Sequence, residues 1–514
     1  MSAPGAGRSL LSSSILMAGA AYLSYASGLL VSILAARTLG PKDYGSYAYV
    51  LWLCAVVVSL LNHGLPVTAI KFIAESVGRG ALPVARAWHA KLSRLHLLSL
   101  VIVGGGVAGF LLWRPPAGWE PHQVAMVAVV LVAAMSRARY LFGVSVAKGH
   151  GIFVLEARSV SILSALNVVL LTSAWMLGVS LPVMLGLYVF VSVLHWVFAA
   201  LGARKFKLAP TEAELPAEDL SRMRQHLSWT IVLTAIGVFG EGAVNMYALH
   251  ELVGASEVAY YSLASSLTKA GMDLLTVGLS SVLMSAMGQA LGRGGRDELS
   301  GVFSASVRHF HFLGLLLAGL GLLASAWVVP LLYGAAYAPS IQIMQVMFLF
   351  GGLTLTDGVF SALLSVLDRQ RNRVFISLSC ILFTMPVSWF LIREHGLQGA
   401  IWSYAINRCA VFLVSVISVV RLSQMSPPWR ALRRQMLVAL VALASPAALV
   451  WFVPGMVAGV FACGLFVVSF IWMAARSGVW LEEERQRFVA LSARVPALSG
   501  AVAWLLNSQV AGRA

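Results

Sequence analysis

Apolar stretches of membrane-spanning length recur along almost the whole chain, and that constrains its fold more than any other feature. They fall at 10–35, 44–64, 93–113, 121–143, 155–177, 181–203, 227–250, 258–287, 309–332, 341–366, 374–392, 397–420, 435–453 and 455–475. One helix needs ~20 apolar residues to cross a ~30 Å hydrocarbon core. Fourteen crossings would use ~280 residues, and 59% of the 514 residues are apolar, so the supply is nearly exhausted. No sizeable soluble domain fits in what remains. An outer-membrane barrel is excluded too, because its strands alternate and contain no twenty-residue apolar run. The expected fold is an all-α polytopic membrane protein with about 14 transmembrane helices. The first stretch follows Arg8 and is too long for the apolar region of a cleaved leader, so it reads as a retained span.

The net charge is +16. Its distribution along the chain matters more than its size. Take the N-terminus and every second loop as one side. Of the 36 Lys and Arg, 30 lie there, four lie on the other side, and Lys269 and Arg408 lie within spans. Basic residues collect in cytoplasmic loops, so both termini are expected in the cytoplasm. The charge is then a topology signal, and no nucleic-acid partner is expected. Cys54, Cys380, Cys409 and Cys463 all sit in apolar stretches without a CxxC spacing, which argues against disulfides and metal clusters. There is no G-x-x-x-x-G-K-[ST] and no HExxH, so neither ATP hydrolysis nor a zinc site is expected. No cofactor is implied, and no catalytic constellation.

The longest internal polar stretch is 204–226, with two prolines and mixed charges. It reads as a cytoplasmic linker between a lobe at 1–203 and a second lobe at 227–420. Two further spans occupy 421–476. The segment 477–514 is a cytoplasmic tail, either an interfacial helix or disordered. An internal repeat relates the lobes: LGPKDYGSY (39–47) aligns with VGASEVAYY (253–261), matching Gly40 to Gly254, Asp43 to Glu257 and Tyr47 to Tyr261. Both copies begin on the same side, so the repeats are parallel, an arrangement found in transporters.

A polar side chain in a span is costly unless it faces protein or water. In span eight, Ser262, Ser266, Lys269, Asp273, Thr276 and Ser280 recur every three or four residues, on one helical face. Span seven does the same with Thr230, Thr234, Gly237, Glu241 and Asn245, and span ten with Thr354, Asp357, Ser361 and Ser365. Such stripes line either a wet cavity or a tight seam. Lys269 and Asp273 are one turn apart and either lock two helices or contact cargo or a coupling ion. Glu241 is the candidate titrating group for H+ or Na+ coupling, because burial favours the neutral carboxyl. Asp357 lies nearer the cytoplasmic end and reads as solvated. Arg408 is either an anion site or the partner of Asp357 or Glu241. Residues 44–78 would make ~52 Å of helix, more than a membrane core, so a kink is expected at Pro66. Beyond it, Arg86, His89, Lys91, Arg94 and His96 form a basic cluster. It either attracts inner-leaflet phosphate headgroups or is ordinary cytoplasmic charge.

The segments ARTLGPKDYGSYAYVLWL (36–53), NHGLPVTAIKFIAE (62–75), LVGASEVAYYSLASSLTKA (252–270), LLYGAAYAPS (331–340), LDRQRNR (367–373) and GLQGAIWSYAINR (396–408) resemble the bacterial polysaccharide/oligosaccharide flippase family (Wzx-like). That family lies within the multidrug/oligosaccharidyl-lipid/polysaccharide exporter superfamily. The resemblance covers roughly residues 10–420. It implies two pseudo-symmetric six-helix lobes around a central cavity, with two C-terminal helices added as in lipid II flippase relatives. It implies alternating-access transfer of an undecaprenyl-pyrophosphate-linked oligosaccharide across the bacterial inner membrane for surface polysaccharide biosynthesis. Membrane lipids, a polysaccharide polymerase and assembly proteins are the implied partners. A cationic cavity would hold the pyrophosphate, a need matched here by Lys269, Arg408, Lys71 and Lys91. Glu241, Asn245, Asp273 and Asp357 would be its polar or coupling groups. The competing readings are a cation-coupled multidrug exporter and a polytopic enzyme acting on the same lipid carrier. Such an enzyme would need larger outer loops than these.

Overall fold

The computed structural model describes residues 6–478 except 207, 209, 211–214, 216, 241 and 368; side chains are described from residue 19 except 21, 239, 240, 274–282, 285 and 370. The described residues form fourteen α-helices: α1 (Ala6–Asn62), α2 (Leu65–Gly78), α3 (Leu82–Trp113), α4 (Gln123–Gly149), α5 (Val154–Leu177), α6 (Leu181–Lys205), α7 (Ala217–Gly240), α8 (Ala243–Leu252), α9 (Ala255–Tyr333), α10 (Ser340–Leu353), α11 (Asp357–Val366), α12 (Gln370–Ser423), α13 (Trp429–Phe452) and α14 (Met456–Arg476). No strand occurs among the described residues. A membrane imposes this, because every backbone N–H and C=O must be paired within its own segment.

Helices and crossings do not correspond one to one. Among the described residues ten helical segments are long and apolar enough to cross a membrane, and α7 with α8 makes an eleventh, bent by 46°. Two of the ten fold back on themselves. In α1 the Ser32 hydroxyl lies 2.9 Å from the Tyr44 hydroxyl; twelve residues of straight helix would hold them ~18 Å apart. The reversal is at Gly40, with φ 70°, a conformation that costs glycine little. In α12 a Cβ on Gly399 would strike the Leu391 carbonyl, which places the reversal at Gly396. The 79 residues of α9 would measure ~118 Å if straight; the helix breaks at Gly294 and Gly295. Counting each fold-back and both parts of α9 gives fourteen crossings. The chain is a multi-pass membrane protein.

Three expected features differ. The break after span two falls at His63 and Gly64, with φ 26° and 87°, and Pro66 sits in the first turn of α2. A proline lacks only an N–H that no helix start uses, so it opens α2 and does not kink it. The stretch 204–226 is helical at both ends, with α6 running to Lys205 and α7 starting at Ala217. Its acids Glu218 and Asp219 fall in the first turn of α7, where they favour the helix dipole. Spans seven and ten are interrupted, between α7 and α8 and between α10 and α11. The tail beyond 478 lies outside the described residues.

By their contacts the residues form two compact units. One runs to Leu263 and includes Ile381–Ala400; the other holds Ala264–Cys380 and residues from Ile401 on. In the first, α1 packs mainly on α5 and α4, and α4 on α6. Phe72, Trp88, Leu92 and Phe142 form a core between α2, α3 and α4. In the second, Phe303, Phe310, Phe360 and Leu363 join α9 to α11, and Phe466 and Phe470 hold α14 against α9 and α13. Large apolar side chains stay exposed, Trp113 (79%) and Trp451 (83%) at helix ends among them. Aromatic residues at helix ends suit the membrane–water boundary.

Candidate functional site

Interrupted spans are where a membrane helix can present polar groups without lipid contact. The second unit has one such place on which several expected residues converge. Between α10 and α11, Thr354 bonds its hydroxyl back to the Phe350 carbonyl at 2.8 Å. Asp357 then opens α11, and a carboxylate at a helix start is favoured by the dipole. Both Asp357 carboxylate oxygens are buried, as is the Thr356 hydroxyl. From α12 the Ser415 hydroxyl faces the carboxylate as a hydrogen-bond donor, and the Arg408 charge acts on it from further off. Asp357 is therefore not the solvated group that its position suggested. These buried oxygens can take a proton or a small cation, and Arg408 can balance the charge.

Arg408 is oriented by its own helix. Its Nε donates to the Tyr404 hydroxyl at 3.3 Å, and the guanidinium lies 5.6 Å from the Tyr404 ring centre. Tyr404 donates in turn to the Met347 carbonyl of α10 at 3.5 Å. Lys269 and Asp273 lie on α9 in this same unit, exposed and half-buried respectively. Between them, Gly271 and Met272 pack against Phe348 and Gly351 of α10, beside the Tyr404 hydroxyl. Further along α11 the polar stripe serves another residue, since Arg373 donates to the Ser361 and Ser365 hydroxyls at 2.6 and 2.7 Å.

The other expected residues belong to the first unit. Asn245 is 4% exposed. Its amide donates to the Tyr261 hydroxyl at 2.9 Å and the Ala400 carbonyl at 3.5 Å, joining α8 to α9 and α12. Lys71 is exposed, 3.5 Å from His226 Nδ1 and 5.5 Å from the Phe72 ring centre. Nearby, Glu75 and Asp219 bind Arg79 and Arg222 in a four-residue ion network between α2 and α7. Lys91 is exposed on α3. Glu241 lies outside the described residues.

One residue was missed. Counting basic residues loop by loop places Arg137 among the 30 on the cytoplasmic side, yet it sits midway along α4. Tyr47 and Cys54 of α1, Tyr140 of α4, and Tyr188 and His195 of α6 all feel its charge. The signal was present in the sequence, since the apolar stretch 121–143 passes through Arg137 and Arg139. Assigning charges by loop hid it.

The profile of the polysaccharide biosynthesis protein family matches residues 10–291. No curated protein sequence matches the chain. Among solved structures, the lipid II flippase MurJ in an inward closed conformation superposes with TM-score 0.68 at 14% identity, covering 90% of this chain and 98% of that one. An inward-facing multidrug resistance MATE family transporter of the MOP superfamily gives TM-score 0.63 at 14% identity, covering 78% and 96%. A point mutant of the Vibrio cholerae MATE transporter VcmN gives 0.53 at 15% identity, covering 80% and 97%. At such identities the likeness concerns the fold.

Proposed function

Because the chain belongs to the polysaccharide biosynthesis protein family, we propose that it is a flippase carrying an undecaprenyl-pyrophosphate-linked oligosaccharide across the bacterial inner membrane. The observation that carries this reading is the set of fixed cations placed within spans, Arg137, Lys269 and Arg408, on a fold shared with MOP-superfamily transporters. Fixed cations within spans suit a pyrophosphate. The second reading, a cation-coupled drug exporter, would favour acids at these positions. Reconstitution decides between them: proteoliposomes holding the pure protein should translocate a fluorescent lipid-pyrophosphate oligosaccharide, and transport of organic cations without it would sink the proposal.

The proposed step is an exchange of partners. Asp357 and Arg408 balance each other while cargo is absent. When a pyrophosphate engages Arg408, Asp357 loses its counter-charge and a second negative charge approaches, so its carboxyl takes up a proton. Cargo binding and proton uptake are thereby linked. Glu241 is proposed as a second coupling group on span seven. Glu241→Gln mimics its protonated form and should keep the fold and cargo binding while losing most pH-gradient-driven turnover. Unchanged gradient dependence in the flipping assay would remove Glu241 from coupling.

Both termini are proposed to be cytoplasmic. Reporter fusions within 204–226 and after 476 should then report cytoplasm, and one at 334–338 periplasm. A periplasmic signal from 204–226 would contradict this orientation.

A further inference from the structure

Within the first unit, α2 and α7 meet along a line of named contacts. A Cβ on Gly64, the residue that caps α2, would strike the Thr230 side chain of α7. The rings of Phe72 and His226 come next, 6.0 Å apart, with Lys71 Nζ 3.5 Å from His226 Nδ1. Arg222 then donates to Glu75 at 3.3 Å and to Asp219 at 3.0 Å. Last, Arg79 pairs with Glu75 and stands 3.8 Å from Asp219. Rising numbers on α2 meet falling numbers on α7, so the pair forms an antiparallel seam. Leu220, Met223 and Leu227 of α7, spaced along one helical face, rest on the Phe72–Trp88 core beneath it.

The seam is graded along its length. At the Gly64 end there is no room for a methyl group. At the other end the contacts are between charged side chains that are 17–56% exposed. Exposed ion pairs contribute little each and are weakened by salt, so this end holds reversibly. The apolar part beside it includes Met223, 3% exposed, and an unbranched thioether adapts to more than one packing. Backbone breaks set both helices off. His63 and Gly64 precede α2 with φ 26° and 87°, and α7 meets α8 at a 46° bend beside Gly242, φ 75°. A few such residues at the ends of elements let an arm move as a body. In the sequence α2 belongs to the first repeat and α7 opens the second, so the seam joins the repeats at the end proposed to be cytoplasmic.

We propose that this seam is an inner latch. It is closed here, and it parts at its ionic end, pivoting about the Gly64–Thr230 contact, each time the cytoplasmic side opens to cargo. Its role in transport rests on the alternating-access reading; the parting itself is tested without cargo. A permanent staple would behave in the opposite way, staying closed throughout the cycle.

Met223→Cys reports the parting in the full chain in detergent. Its reaction with a water-soluble maleimide, followed by mass spectrometry, should be slow. It should quicken about fivefold when Glu75→Gln and Asp219→Asn are added, the order expected for lost exposed ion pairs. The buried native Cys54 is the internal control and should keep its rate. Equal rates at position 223 with and without the two acids overturn the latch. So does a matching acceleration at Cys54, which would mean general loosening. Should Met223→Cys not fold, Leu227→Cys in the same seam takes its place. The role in transport is tested in proteoliposomes with Glu75→Cys/Arg222→Cys, joined by a short, reducible bis-methanethiosulfonate. Flipping of the lipid-pyrophosphate oligosaccharide should fall several-fold below that of Glu75→Cys or Arg222→Cys treated alike, and return on reduction. Undiminished flipping by the joined protein overturns the latch. Absence of flipping by the wild type would instead sink the transport reading, and the maleimide rates would still decide whether the seam parts.

Discussion

Cells carrying Arg408→Ala are expected to lose surface polysaccharide while the protein remains in the membrane. The carboxylate oxygens of Asp357 are buried, with the Ser415 hydroxyl as their neighbour. Arg408 acts on that carboxylate, so its removal strands a buried negative charge. The two make no direct ion pair and Arg408 is only half-buried, so the cost stays below the ~3–5 kcal/mol of a broken buried pair. The loss of export is expected to exceed anything this destabilisation explains. Arg408→Lys separates the two effects. It keeps the charge but loses the Nε bond to Tyr404 and the planar group beside its ring, and a lysine cannot grip a phosphate bidentately. Tm should therefore recover in Arg408→Lys while export stays at least tenfold down. The double variant Asp357→Asn/Arg408→Gln should also recover Tm, since neither charge is left alone, and should not export. Normal export by either variant, measured with surface polysaccharide and protein level together, would remove Arg408 from the cargo path.

Gly45→Ala should reduce folded protein more severely than any exposed substitution. A Cβ at Gly45 would fall on the Ala255 carbonyl at the start of α9. No rotamer relieves this, because the obstacle is backbone. Overpacking a core costs ~1–3 kcal/mol when side chains can adjust, and here they cannot, so the cost should reach the top of that range. Membrane helices use small residues for such close approaches because dispersion and packing, rather than water exclusion, hold them together. Gly105→Ala is the matched control: it lies on α3 with nothing within 4 Å of its would-be Cβ. Fluorescence-detected gel filtration should show Gly105→Ala at wild-type level and Gly45→Ala largely lost. Equal recovery of both would mean that α1 and α9 do not pack as described.

The fold class and the crossings were set by the sequence alone. A twenty-residue apolar run has few stable options outside a bilayer, and the reversals at Gly40 and Gly396 were marked by residues suited to them. Interruptions that lack such markers were not legible. Thr354-Leu355-Thr356 contains neither glycine nor proline, so span ten read as continuous. Pro66 misled in the opposite sense, since proline marks a helix start as readily as a kink. Periodicity placed Asp357 and Asn245 on polar faces, because a face is a local property of the helix. Only tertiary packing decided what covers each face: Asn245 is held by Tyr261 and Ala400, and Asp357 is buried beside Arg408. The same holds for Arg137, whose presence inside an apolar run was visible, whereas the groups of α1 and α6 that feel its charge come from helices distant in sequence. Burial and partnership depend on which helices meet, and no local pattern carries that information.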